Sequence, residues 1–251
     1  MNKIDMIDLL VKFLEIKKLG YVKSLRKGST GIGYTFETLL GKNEECFPIP
    51  DFRSIEIKVK KQFGKGSITL FNAVPDNEVF ATKRLYEEYG VFNKNFNYNK
   101  TFMLSVSTVE YKRYGKHFFK LAIDMDNRLI RLIIEDLNHK VVDKQISWSF
   151  ELLENKIDMK IKNLAIVKAK EKKVDGVSYY YYYHIGFYEL KGKKNFFELI
   201  NAGMINITFK MSTYMKGIKY GEMNNHGIGF NIDMINLLDL YYLRDFKKKN
   251  N

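Results

Sequence analysis

From Ile55 to Lys60 apolar and charged residues alternate without a break: Ile55, Glu56, Ile57, Lys58, Val59, Lys60. That is the period of a half-buried β-strand, whose side chains two apart share a face. Ile55, Ile57 and Val59 therefore point into a core, and Glu56 and Lys58 share the opposite face. Asp51 follows Pro50, which has no amide hydrogen, so Asp51 sits where the chain enters the strand or bends beside it. Its carboxylate then converges with Glu56 on one small volume. Two carboxylates, with the Ile57 carbonyl as a third oxygen, suit a hard divalent cation, Mg²⁺ above all, completed by water and a substrate phosphate. Lys58 would neutralise that phosphate and position, or help deprotonate, an attacking water whose pKa the cation lowers. The same five residues also describe an ordinary salt-bridged strand face.

The preceding segment decides between these readings. Gly28 to Gly41 reads as a loop leading into a helix: Ser29 or Thr30 can cap it, Ile32, Phe36 and Leu39 or Leu40 recur at helical spacing, and Gly41 can end it. The run GSTGIGYTFETLLGKNEECFPIPDFRSIEIKVKK resembles the MvaI/BcnI family of Type II restriction endonucleases, and more distantly the strand-nicking mismatch-repair protein MutH. The matching elements are the glycine-rich turn and helix (Gly31 to Gly41), Pro50-Asp51-Phe52, and Ile55 to Lys58. Ser67 to Phe71 with Pro75, Trp148 to Lys162, Asn195 to Met204, and Asn225-His226-Gly227-Ile228-Gly229-Phe230 extend the likeness over most of the chain. The resemblance implies a PD-(D/E)xK nuclease with Asp51 and Glu56 as metal ligands, Lys58 as the catalytic lysine and Glu37 as a helix carboxylate near the metal. Without it, Glu37 is an exposed helix glutamate.

Members of the family carry an acidic residue and an arginine in the strand after the late glycine turn, and an arginine after the His-Gly-x-x-Phe element. Here those positions hold Thr208, Lys210 and Asn231. Arginine reaches guanine O6 and N7, acids accept from the cytosine amino group, and asparagine suits adenine. The expectation is retained cleavage chemistry with a target unlike the family's G·C-rich sites. His226, flanked by glycine, either touches a base edge or phosphate or is a plain loop histidine. Ser67 joins the DNA-contacting candidates.

The chain has 251 residues, with 42 basic against 29 acidic side chains and a formal charge of +13. That excess suits a polyanion, duplex DNA first and an acidic membrane surface second, although a lysine-rich genome composition also contributes. Lys60, Lys61 and Lys65 lie close enough to the site for backbone-phosphate contacts. Cys46 is the one cysteine, so there is neither an intramolecular disulfide nor a thiolate zinc cluster, and it reads as a small buried hydrophobe. No stretch approaches ~20 apolar residues and no signal-peptide core is visible, which points to the cytoplasm and away from membranes.

The expected architecture is a mixed α/β sheet, one domain of two lobes. A catalytic lobe takes residues 1–100 plus C-terminal elements. A strand-rich recognition lobe takes 101–235, with DNA in a cleft between them. Asp5 to Leu19 reads as a helix burying Ile7, Leu10, Val11, Leu14 and Leu19. Strands are expected at 102–111, 118–125, 129–135, 164–169 and 178–190, and helices at 150–160, 196–201 and 234–243. The five consecutive tyrosines Tyr179 to Tyr183 would alternate between two faces, which favours packing over base stacking. Lys247 to Lys249 form a basic tail. The function that follows is Mg²⁺-dependent cleavage of a short duplex sequence by a monomer needing no protein partner and paired with a DNA methyltransferase. The rivals are a partner-activated MutH-like nickase and an inactive DNA-binding protein.

Overall fold

The computed structural model describes residues 1–41, 50–62, 64, 66–76, 78–92 and 99–244; Cys46, Lys65 and Lys247 to Lys249 lie outside them. In chain order come α1 (Lys3–Lys18), β1 (Val22–Lys23), α2 (Gly31–Leu39), β2 (Glu56–Lys61), β3 (Ser67–Asn72), α3 (Glu78–Tyr89), β4 (Val91–Phe92) and β5 (Lys100–Val106). Next are β6 (Lys112–Tyr114), β7 (His117–Asp124), β8 (Leu129–Glu135), β9 (Val141–Asp143), β10 (Ser147–Ser149), α4 (Phe150–Lys160), β11 (Asn163–Val174) and β12 (Val177–Leu190). Then follow α5 (Lys193–Asn201), β13 (Ile205–Thr213), β14 (Met223–Asp233), a 3₁₀ turn (Met234–Asn236), α6 (Leu237–Leu240) and β15 (Tyr241–Arg244). Among the described residues no helix is long and apolar enough to cross a membrane.

The chain forms two compact units, one of Met1–Gly66, Ile157–Gly192 and Leu237–Asn251, the other of Ser67–Lys156 and Lys193–Asn236. The first boundary falls at Ser67 rather than near residue 100 because β3 pairs with β14 and so belongs to the second unit. Residues 157–192, expected in the recognition lobe, supply the two central strands of the first unit instead.

In the first unit the sheet order is β1-β12-β11-β2, with β15 also on β12. The β2–β11 pair is parallel and the others are antiparallel. One face carries the core: Met6, Leu9, Phe13 and Ile16 of α1 and Ile32 and Phe36 of α2 pack on Ile55, Ile57, Val167 and Tyr182. The helix expected at 5–19 is present, but a different stripe is buried. Ile7, Val11, Leu14 and Leu19 are exposed. Two apolar stripes share this helix, and the one with Phe13 fills the space beside Phe36, with ring centroids 6.5 Å apart. The expected final helix is also shortened. Tyr241 to Arg244 extend as β15 against Leu190 to Phe187, and the aromatic pair Tyr241-Tyr242 favours that extended geometry.

The second unit holds two five-stranded sheets, β3-β14-β13-β5-β4 and β10-β8-β7-β6 with β9 on β8. Aromatic rings join them: Phe102 lies 5.5 Å from Phe119 and 5.4 Å from Phe209. Trp148 is fully buried and donates its indole N–H to Ala73 O at 3.1 Å.

The turn that enters β2 is tied to α1. Phe52 and Ile55 exchange backbone hydrogen bonds of 2.9 and 2.8 Å, with Arg53 held at φ 50°. Ser54 Oγ donates to Asp5 Oδ2 at 2.5 Å and Arg53 Nη1 to Asp5 Oδ1 at 3.3 Å. The Ser54 hydroxyl, and then Arg53, outweigh burial and hold the Asp5 carboxyl below its ordinary range. A folded pKa below the unfolded one stabilises in full above the unfolded value of about 3.9 and is lost as pH falls through the folded value. Asp5→Asn should therefore cost about 1–3 kcal/mol at pH 7. Urea melts between pH 7 and 2 should show the cost shrinking toward zero in acid. A constant cost across that range would dissociate the tether from its ionisation.

Candidate active site

The parallel register sets Glu56 opposite Leu164 and Lys58 opposite Ile166. Ile57 and Val59 accordingly share the core face with Ala165 and Val167, and Glu56, Lys58 and Lys60 share the other face with Leu164, Ile166 and Lys168. Glu56 is only 5% exposed, and a carboxylate so buried requires partners. Lys58 Nζ donates to Glu56 Oε1 at 2.7 Å, and Lys160 Nζ, from the last turn of α4, to Oε2 at 3.4 Å. Tyr241, buried nearby, donates its hydroxyl to Ile161 O at 3.1 Å. Burial first, and the charge of Glu56 second, push its phenol far above the ordinary range, so it stays protonated.

Asp51 meets the same strand from its edge. Its Oδ2 accepts the Ile57 N–H at 2.9 Å. Because the N–H and C=O of one strand residue point to the same side, the Ile57 carbonyl projects beside Asp51, away from β11. The turn therefore ties Asp51 to the Ile57 N–H at the start of β2, the strand that also carries Glu56 and Lys58. Among the described residues no three His, Cys, Asp or Glu side chains gather as a metal cluster. What β2 offers is an all-oxygen set of two carboxylates and a carbonyl, short of a full shell. That chemistry fits a hard divalent cation that keeps water and takes phosphate oxygen, and does not fit a zinc cage.

Glu37 follows Phe36 on α2, the helix whose Ile32 and Phe36 pack on Ile55 and Ile57. Its Oε1 lies 3.7 Å from where a Cβ on Gly33 would stand. The glycine at the head of α2 is obligatory, since a Cβ on Gly31 would lie 2.3 Å from Arg26 O. Lys60 is half-buried on the Glu56–Lys58 face, and that burial lowers its pKa from the usual lysine value. Lys61 turns to the opposite face and pairs with Glu171 at 2.5 Å.

The candidates Ser67, Thr208, Lys210, His226 and Asn231 all lie on the second unit, on the strands β3, β13 and β14. Alternation puts Thr208, Lys210 and Asn231 on the face opposite the buried Ile207, Phe209, Phe230 and Ile232. Asn231 is 4% exposed and its amide is committed within the sheet. Thr69 Oγ1 donates to its Oδ1 at 2.7 Å, and its Nδ2 donates to Thr208 Oγ1 and to Gly229 O, each at 2.8 Å. Ser105 Oγ, 3.0 Å from Thr208 Oγ1, carries the network to β5. Lys210 and His226 are exposed, and His226 Nε2 lies 3.0 Å from Ser212 Oγ. Gly227, at φ 100°, passes so close to Asn72 that a Cβ would lie 3.2 Å from its Nδ2.

Sequence reading missed Lys160, whose link to Glu56 spans 104 positions and leaves no local signal. It also ended the strand before β12 at Ala169. Asp175-Gly176, both at positive φ, form the two-residue hairpin turn that carries β11 on to Val174, and this dipeptide was the available cue.

The MvaI/BcnI restriction endonuclease family matches residues 10–241. A solved restriction endonuclease MvaI complex with its cognate DNA substrate is 30% identical, covers 97% of this chain and 98% of that one, and superposes with a TM-score of 0.89. MvaI in the absence of DNA, 29% identical over the same shares, gives 0.61. Comparison with curated protein sequences gives no match. The chain belongs to the MvaI/BcnI restriction endonuclease family and is a Type II site-specific deoxyribonuclease.

Proposed function

We propose that this endonuclease uses Mg²⁺ to hydrolyse phosphodiester bonds in a short duplex sequence, acting as a monomer in the cytoplasm alongside a methyltransferase that protects the host. The observation that carries the reading is the junction at β2, where Asp51 Oδ2 accepts the Ile57 N–H at 2.9 Å and Lys58 Nζ bonds Glu56 Oε1 at 2.7 Å. Asp51, Glu56 and the Ile57 carbonyl would hold the cation. When bound, it supplies positive charge to the phosphate oxygens and lowers the pKa of water. Glu56 fixes the Lys58 ammonium, otherwise a point charge on a flexible four-carbon stem, where it can neutralise charge building on phosphate and orient the attacking water. Glu37 adds a carboxylate from α2. Lys160, on the second oxygen of Glu56, is a positioning residue.

Lys60 and Ser67 contact backbone phosphates, Lys61 is turned to the other face and held by Glu171, and Thr208, Lys210, His226 and Asn231 belong to the base-reading surface. The Thr208–Asn231 pair is neutral and internally bonded, where charged groups would be needed to read guanine and cytosine bidentately. Asn231 therefore orients Thr208 rather than reaching a base, and the target differs from the family's G·C-rich sites. Sequencing the ends of digested, unmethylated genomic DNA tests this. Cleavage confined to the MvaI or BcnI sequence would refute it. Cutting of plain plasmid without added protein separates this reading from a MutH-like nickase.

Asp51→Asn, Glu56→Gln and Lys58→Met should each lower cleavage about 10²–10³-fold, the scale of losing one transition-state charge contact. Duplex binding in EDTA should persist, and should tighten for Asp51→Asn because a negative charge near phosphate is gone. Residual cleavage near the parent rate in any of the three would remove that residue from the mechanism. Asn231→Asp sets a carboxylate oxygen against Gly229 O. It should cost about 1–3 kcal/mol in urea unfolding and relax discrimination between the mapped site and single-base variants. Unchanged discrimination in the folded variant would place Asn231 outside the reading apparatus.

A further inference from the structure

The sheet face that carries Glu56 and Lys58 does not end there. The parallel register continues through Lys60 opposite Lys168, and alternation along β11 brings Lys170 and Lys172 onto the same face. Across β12 the partners are Tyr181 opposite Lys170 and Tyr179 opposite Lys172, with Tyr183 at the register shift beside Lys168. The five tyrosines thus divide by face. Tyr180 and Tyr182 are buried in the core at 2% and 0% exposure, while Tyr179, Tyr181 and Tyr183 are half-exposed on the other side.

These rings and lysines form one connected strip. Tyr181 and Tyr183 have centroids 6.5 Å apart, and Tyr21 lies 5.7 Å from Tyr181. Lys170 Nζ sits 5.7 Å from the Tyr183 centroid, and Lys172 Nζ lies 4.4 Å from that of Tyr21 and 5.9 Å from that of Tyr179. At the strand positions from Lys58 to Lys172 and from Tyr179 to Tyr183 this face presents no carboxylate. Glu171, the acid within β11, turns to the opposite face, where Lys61 and Ser178 hold it. A row of like charges without acids repels itself, and a polyanion relieves that repulsion. Burial first, then the charges of Lys168 and of Lys17 on α1, press the pKa of His184, opposite Lys168, below the ordinary histidine value. The rings hold the lysine ammonium groups in place by cation–π contact and leave their N–H groups able to donate to phosphate oxygens.

We infer that this lysine–tyrosine strip is a second DNA contact, gripping the phosphate backbone of the duplex that flanks the cut. The inference rests on the proposed nuclease site at β2. At ~3.3 Å per residue, Lys170 and Lys172 lie about 13 and 20 Å along β11 from the level of Lys58. For a duplex lying along β11, at ~3.4 Å rise per base pair, that corresponds to roughly four to six base pairs from the scissile phosphate. The occupant is a duplex rather than an unpaired strand, because lysine ammonium groups lie over rings that bases would otherwise stack upon.

The test measures binding of Lys170→Gln/Lys172→Gln and the parent to a 30-base-pair duplex, and to one of its single strands, in EDTA over a series of NaCl concentrations. Loss of two phosphate contacts should flatten the plot of log affinity against log salt by about 1.8 for the duplex. Lys172→Gln alone should give about half of that. An unchanged duplex slope would overturn the inference, as would a loss confined to the single strand. Parent digestion of genomic DNA with Mg²⁺ is run alongside. Cleavage with an unchanged slope sinks the flank contact alone, whereas a flattened slope without cleavage sinks the nuclease reading and leaves the strip standing.

Discussion

The register of one parallel strand pair governs this molecule. β2 lies on β11 with Glu56 opposite Leu164, and because a strand has a period of two, that choice fixes both faces at once. Ile57 and Val59 go to the core with Phe36 and Tyr182, and Glu56 and Lys58 go to the site. A slip of one residue would bury lysines against α1 and α2 and turn the isoleucines toward solvent. The apolar set that holds the sheet together is thus also what aims the ionic set. Asp51 reinforces the choice from the edge, since its carboxylate satisfies the Ile57 N–H that β11 does not. The geometry of the candidate site and edge satisfaction are one constraint.

Much of this was legible in the sequence because it is local. Alternation at 55–60 located β2 and its faces, and the helix at 150–160 matches α4 from Phe150 to Lys160. The glycine-rich turn needed Gly31 because no Cβ fits beside Arg26 O. What was not legible depends on tertiary choice. Helix α1 has two apolar stripes, and only the space beside Phe36 selects the one with Phe13 over the one with Ile7 and Leu14. The segment at 241–244 reads as helix by periodicity until β12 offers it an edge to pair with. Lys160 reaches Glu56 from 104 positions away, a contact that no window of sequence contains. Asn231 spends its amide on Thr69, Thr208 and Gly229, contacts that strand pairing creates and no local window of sequence shows.

Charge is distributed unevenly between chemistry that reads and chemistry that grips. On the second unit, the Thr69–Asn231–Thr208–Ser105 network is neutral, short and self-satisfied, so its groups are held in fixed orientation but have few bonds left to offer. Under the proposed function such a surface would discriminate by shape and by penalties for misfit more than by strong attraction, because a buried polar group deprived of its partner costs more than a paired one gains. Affinity would then have to come from phosphate contacts, which carry no sequence information but dominate binding. The first unit has the means. Lys58 to Lys60 and Lys168 to Lys172 alternate along two paired strands, and the one carboxylate inside that hairpin arm is turned away and neutralised by Lys61. An excess of 13 positive charges would be a liability in a chain that bound nothing anionic. Five of the lysines behind that excess, Lys58, Lys60, Lys168, Lys170 and Lys172, lie on the face that also holds Glu56, and under the proposed function they would bring the backbone to the oxygen ligands and ammonium group that cut it.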